Sequence, residues 1–97
     1  MIAGYEPKVA GGVEAQLAKL DEILAFLADG PETDPVLSAQ EHLQSARADL
    51  LGSMPEEMEL SLAMAKEALG GIDDRELRRK TLHLLEEVRE ARATPMM

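Results

Sequence analysis

Glycine and proline divide this chain into four segments, and each segment carries one stripe of apolar side chains. Proline and paired glycines interrupt helices, so these residues set the lengths of the elements between them. Within the segments, apolar residues recur every three or four positions, which is the period of an amphipathic helix. The chain has one Phe, one Tyr and no Trp, and its abundance of Leu and Ala favours helix over strand. The breaks fall at Gly11-Gly12, Gly30-Pro31, Gly52, Gly70-Gly71 and Pro95.

The first two helices are predicted from their stripes and from the residues at their ends. The first helix runs from Val13 to about Ala28, and an earlier start near Pro7 stays open because the apolar phase continues upstream. The second starts at Asp34, the expected N-cap, and ends at Leu51. The expected inward residues of the first helix are Val13, Leu17, Leu20, Leu24 and Leu27, with Ile23 at the edge of the stripe. Those of the second helix are Val36, Ala39, Leu43, Ala46 and Leu50.

Each of the last two helices is preceded by a sequence typical of a capping box. Ser53-Met54-Pro55-Glu56 precedes the third helix and Asp73-Asp74-Arg75-Glu76 precedes the fourth, so Ser53 and Asp73 are the expected caps. Gly70-Gly71 is expected to end the third helix with a left-handed residue. The expected inward residues are Met58, Leu62, Ala65 and Leu69 in the third helix, and Leu77, Thr81, Leu84, Val88 and Ala91 in the fourth.

The length of the chain and its short connections predict the architecture. Ninety-seven residues are enough for one domain and too few for two. Connections of about two to six residues make neighbouring helices antiparallel. The sequence therefore predicts an all-α fold, a compact up-down-up-down four-helix bundle. We expect a single domain spanning residues 1–97, with tails at 1–12 and 94–97.

The charge balance limits the classes of partner. Ten basic residues against nineteen acidic ones give a net charge of −9. Binding to nucleic acid or to an anionic membrane depends on Lys and Arg, so we expect no nucleic-acid partner and no membrane partner. No stretch of the sequence approaches the roughly 18 apolar residues of a membrane span. With no secretion signal at the N-terminus, we expect the protein to be cytoplasmic.

Neither histidine belongs to a recognisable metal or catalytic motif. A carboxylate-bridged di-metal bundle uses Glu-x-x-His on two helices, whereas Ala39 stands three residues before His42 and Lys80 three before His83. The residues that follow each histidine also lack the pattern of histidine phosphotransfer domains. The chain has no cysteine, and adjacent carboxylates on a helix point about 100° apart rather than converging. We therefore expect no enzyme activity, no catalytic residue, no metal site and no cofactor.

The start of the fourth helix carries a local reversal of charge. A DNA-recognition helix is one interpretation, but acidic residues in the same turn would repel phosphates. We expect the four basic side chains to pair instead with acidic residues on the third helix. The basic residues are Arg75, Arg78, Arg79 and Lys80, and the expected partners are Glu56, Glu57 and Glu59.

Four large apolar residues fall outside the inward stripes. They are Phe26, Leu60, Met64 and Leu82. An isolated apolar residue on a surface is ordinary, but several of them indicate an interface, unless a tail covers them.

These residues lead to a prediction of function. We expect a non-enzymatic protein–protein interaction domain that self-associates, as a homodimer, through Phe26, Leu60, Met64 and Leu82, and that contacts a further protein. The alternative is a bundle that binds a small apolar ligand. A nucleic-acid-binding regulator or a phosphotransfer domain has less support.

Overall fold

The computed structural model describes residues 12–93 of the chain. They form four helices: α1 (Val13–Asp29), α2 (Asp34–Leu51), α3 (Pro55–Gly70) and α4 (Arg75–Ala93). Helix α1 packs against α2 and α4, and helix α3 packs against the same two helices. The predicted all-α four-helix bundle is confirmed. The predicted tails lie almost wholly outside the described residues.

Cross-helix contacts show how the helices are paired. Gln16, near the start of α1, donates from Nε2 to the carbonyl oxygen of Val88, near the end of α4, at 3.1 Å. At the other end of the same pair, Lys80 lies over the ring of Phe26. Early residues of α1 therefore meet late residues of α4 and the reverse, as in antiparallel neighbours.

The core agrees with the predicted stripes in α2 and α3 and differs in α1 and α4. All four predicted residues of α3 are buried, as are four of the five predicted in α2. In α1 the buried face is centred on Gln16, Leu20, Ile23 and Leu27. Of the residues predicted to be inward, Leu17 and Leu24 are only partly buried, and Val13, at the first position of the helix, stays 49% exposed. In α4, Leu85 is buried, whereas Leu84, the predicted residue, is only partly buried. Both positions have the spacing of one helical face with Thr81 and Val88, so periodicity does not select between them.

The predicted cap of α3 is wrong, because Ser53 closes α2 instead. Ser53 has a φ of 58°, the left-handed region. Its amide donates to the Leu50 carbonyl at 3.2 Å, and the Met54 amide donates to the Asp49 carbonyl at 2.9 Å. This pair of bonds is a Schellman motif, in which the left-handed position is usually Gly. Met54 occupies the N-cap position of α3, with no side-chain capping bond.

Three other predicted helix ends are corrected. Thr33 rather than Asp34 stands at the N-cap of α2, and it makes no side-chain capping bond. Asp74, one residue later than predicted, caps α4 by accepting from the amides of Glu76 and Leu77, both at 3.1 Å. Gly71 follows α3 in a right-handed conformation, with φ −89°. The left-handed glycine expected there is therefore absent.

Helix α1 begins at Val13 because Gly12 leaves the helical region. Gly12 has a φ of +99°, a backbone conformation that favours glycine. A single helix running continuously from Pro7 is therefore excluded, and the residues before Gly12 lie outside the described part of the chain.

Candidate protein-interaction surface

The structure separates the four residues predicted to form an interface. Leu60 and Met64 lie one turn apart on α3, and they are 63% and 52% exposed. Leu82 is partly buried and packs against the core. Phe26 is also partly buried, and it lines a separate hollow with Gly30, Leu77 and other residues of α1 and α4. Only Leu60 and Met64 share a surface.

Phe26 is covered from within the chain. The Nζ atom of Lys80 lies 5.2 Å from the centroid of the Phe26 ring, a distance typical of a cation–π contact. The aliphatic stem of a lysine can cover apolar surface while its ammonium group stays in water. Helical phase alone did not predict this contact, because it depends on which residue of α4 packs beside Phe26.

Leu60 and Met64 belong to a continuous surface, which we name the α2–α3 face. It consists of three adjoining hollows: one along α3, one in the groove between the helices, and one along α2. Met64 and Glu67 line both the first and the second hollow, and Ser38 lines both the second and the third. The full lining is Asp34, Leu37, Ser38, Gln40, Glu41, His42, Gln44, Leu60, Ala63, Met64, Lys66, Glu67, Ala68 and Gly70.

Sequence reasoning missed Leu37 as a member of this surface. Leu37 is 48% exposed on α2. It follows the buried Val36 directly, so it points about 100° away from the inward stripe. This angle from the inward stripe is the sequence signal that could have identified Leu37 as an exposed apolar residue.

The α2–α3 face is acidic, because its three carboxylates outnumber its one basic residue, Lys66, and because Arg47 lies outside it. Arg47, the only basic residue of α2, lies 2.8 Å from Asp21 on α1. Lys66, the only one of α3, lies 3.9 Å from Glu86 on α4. The face itself carries Asp34, Glu41 and Glu67, which are all exposed.

The two histidines and the hydroxyl group of Ser61 lie at three different places on the bundle. His42 is partly buried in the groove of the α2–α3 face. His83 is exposed on α4, with Nε2 3.1 Å from Glu87 Oε2. Ser61 donates to Asp49 Oδ2 at 3.0 Å, a bond between α3 and α2. Within residues 12–93, no group of three or more His, Asp or Glu side chains could hold a metal ion.

Glu87 is the centre of a charged cluster between α1 and α4. Its Oε1 atom lies 2.8 Å from Lys19 Nζ. The hydrogen bond from Lys19 is the main cause that lowers the pKa of the Glu87 carboxyl below its ordinary value. The same bond raises the pKa of the Lys19 ammonium group. Both side chains are partly exposed, so the pair links the two helices close to the surface.

The basic cluster of α4 does not make the pairs expected from the sequence. Arg78 donates from Nη1 to the carbonyl oxygen of Ile72 at 2.9 Å, while Lys80 covers Phe26. Glu59 lies instead 4.0 Å from Arg89, near the other end of α4. Glu59 lies near the start of α3 and Arg89 towards the end of α4, whereas Lys66, later in α3, lies near the earlier Glu86. These two contacts fit antiparallel neighbours.

Two further findings bear on function. Among the described helices, none is long and apolar enough to cross a membrane. Comparison with known proteins gives no match to a family model, to a curated protein or to a solved structure. The inference of function therefore depends on the surface described above.

Proposed function

We propose that this chain is a protein–protein interaction domain that acts by binding rather than by catalysis, and that the α2–α3 face is its contact surface. The observation that carries the proposal is the exposure of Leu60 and Met64 side by side on α3, at 63% and 52%. Burying a large apolar side chain contributes about 1.5–3 kcal/mol. A partner that covers both residues therefore gains a substantial part of a binding free energy.

The residues around Leu60 and Met64 also favour close approach by a partner. Ala63, Ala68 and Gly70 are small, and a Cβ atom added at Gly70 would meet no atom within 4 Å. Contiguous apolar surface on a monomer is often functional. A helix or strand of a partner can thus reach both apolar side chains without displacing large neighbours.

Affinity capture from an extract of the native host tests the proposal. The bait is the full chain, in wild-type form and as Leu60→Glu, with Leu51→Glu as the matched control. Leu51 is 57% exposed at the end of α2 and outside the α2–α3 face, so the control adds the same charge at a similar exposure. We expect proteins that the wild type and Leu51→Glu retain and Leu60→Glu loses. An identical set on all three baits would contradict the proposal.

A homodimer, as predicted from the sequence, is the second candidate. The exposed apolar residues on α3 support it, since two-fold dimers bury the same patch from both copies. The net charge of −9 opposes association, so the dimer should tighten as salt screens the repulsion. Light scattering at low and high salt measures this, and Met64→Glu should weaken the dimer without loss of helicity. A monomer at high concentration in both salts would exclude this candidate.

The remaining predictions from the sequence gain no specific support. The buried core residues are 0–2% exposed, and the hollows that we describe lie on the outside of the bundle, where a small apolar ligand would stay in contact with water. A cytoplasmic location stays a prediction, which fractionation of the host cell tests.

A further inference from the structure

We propose that the partner of the α2–α3 face is a basic amphipathic helix of another protein. This inference rests on the proposed function, and it names the chemistry that the face would recognise. It is carried by two features that coincide on one surface. Exposed apolar side chains lie in and beside a groove between helices, and carboxylates lie around them.

The charge of the face is complementary to a basic segment. Asp34, Glu41 and Glu67 line it and are exposed. Its one basic residue, Lys66, lies 3.9 Å from Glu86 of α4. A Lys or Arg side chain of a partner can lay its aliphatic stem on the apolar residues and place its charge beside these carboxylates.

The shape of the face suits a helix. Leu60 and Met64 are four residues apart, which corresponds to about 6 Å along the axis of α3. A helix that lies along a groove offers apolar residues at positions i, i+3, i+4 and i+7. Met64 lines both the groove and the hollow of α3, so a helix in the groove can contact it and extend to Leu60.

A second copy of the chain fits this surface less well. A two-fold contact through the face would bring Glu41 and Glu67 of one copy towards the same carboxylates of the other. Like charges across an interface oppose binding. A partner of opposite charge gains from the same groups, and its association should weaken as salt rises.

The experiment uses a designed peptide and the full chain. The peptide has about 18 residues, long enough to form a helix on binding, with Leu at i, i+3, i+4 and i+7 and Lys elsewhere. A control peptide carries Glu at every Lys position. Titration into isotope-labelled protein, followed by two-dimensional NMR, should shift the amide signals of α2 and α3 around Ser38, Met64 and Glu67. The Glu peptide should leave these signals in place.

Two protein variants separate the α2–α3 face from general charge attraction. Met64→Lys places a charge within the face, whereas Leu51→Lys makes the same change in net charge outside it. Met64 is 52% exposed and Leu51 57%, so we expect both variants to keep their helices, which circular dichroism checks. We expect Met64→Lys to weaken binding of the Lys peptide by about tenfold or more, and Leu51→Lys to change it far less.

Three results would overturn the inference. Equal weakening by Met64→Lys and Leu51→Lys, or signal shifts spread over α1 and α4, would show attraction to negative charge alone. If the Glu peptide binds to the face as tightly as the Lys peptide, the partner is not selected for basic charge. The proposed function would still stand. A dimer through the face, with no peptide bound, would make a second copy the occupant. Failure of the proposed function itself would be seen separately, in host capture that does not depend on Leu60.

Discussion

Ser53 shows how a single residue can mislead a prediction of helix ends. The sequence Ser-x-x-Glu is typical of a capping box, yet Ser53 lies in the left-handed region, with φ 58°. Its own amide bonds back to α2. The turn between α2 and α3 has too few residues for a separate stop and start, so one residue belongs to the end of α2.

Replacing Ser53 with glycine should stabilise the protein. A left-handed conformation costs a non-glycine residue about 1–2 kcal/mol, and glycine removes that strain at the price of a more flexible unfolded chain. We expect Ser53→Gly to raise the melting temperature by a few degrees. Ser53→Ala keeps the strain and removes no capping bond, so its melting temperature should stay close to that of the wild type. Thermal unfolding followed by circular dichroism measures both, and a large loss of stability in Ser53→Ala would restore the capping interpretation.

Asp74 is the residue that stabilises the start of α4. Its carboxylate accepts from two amides that have no partner within the helix. We expect Asp74→Ala to lower the free energy of unfolding by about 0.5–2 kcal/mol. Asp73→Ala is the matched control, because it removes the same charge from the preceding exposed residue. Denaturant titration measures the difference, and equal losses in the two variants would mean that charge rather than capping matters.

The pairing of α1 with α4 includes a contact that depends on pH. The pKa of the Glu87 carboxyl is lowered in the folded chain, mainly by the hydrogen bond from Lys19. A carboxyl with a lowered pKa stabilises the fold above its ordinary pKa of about 4.3, and that contribution is lost as the pH falls through the folded value. The pKa of Lys19 is raised, so its contribution is present below its ordinary pKa of about 10.4 and is lost at higher pH.

Lys19→Met should therefore move the titration of Glu87 towards its ordinary range. The variant keeps a long aliphatic side chain and removes the ammonium group that bonds to Glu87 Oε1. We expect the Glu87 carboxyl carbon, followed by NMR against pH, to titrate at higher pH in the variant than in the wild type. Stability at low pH should also change less steeply. An unchanged Glu87 titration would show that Lys19 does not hold the carboxylate in solution.

The sequence predicted some helices better than others, for a physical reason. In α3, apolar residues at Met58, Leu62, Ala65 and Leu69 give one unbroken stripe, and all four are buried. In α1, apolar residues cover more of the circumference than one face. Periodicity placed Leu24 in the stripe and Ile23 at its edge, whereas Ile23 is buried and Leu24 is only partly buried. The burial of Gln16 depends on a carbonyl of α4 that accepts its hydrogen bond. The apolar pattern of a single helix does not show which groups of another helix will lie beside it.

The candidate surface was predictable in part. Leu60 and Met64 are exposed because α3 has a clear inward face and they lie opposite it. Phe26 and Leu82 are off the predicted stripes as well, but α1 and α4 pack closely and each residue gains a neighbour. Helical phase identifies which residues point away from the core. It does not tell which of them another helix covers.

Most of the excess negative charge of the four helices lies on α2 and α3. These two helices together contain seven acidic and two basic residues, whereas α1 and α4 together contain eight acidic and seven basic ones. The exposed apolar pair on α3 is on the acidic side. The proposed interaction through this side would select partners by charge as well as by apolar contact, which is why we propose a basic helix as the partner.

Site-specific photo-crosslinking tests the central claim most directly. A benzophenone amino acid replaces Met64 in one version of the full chain and Leu51 in the other, and both are expressed in the native host and irradiated. We expect a crosslinked adduct with another protein from position 64 and little from position 51, because only position 64 lies within the α2–α3 face. Equal yields from both positions, or an adduct from position 51 alone, would contradict it.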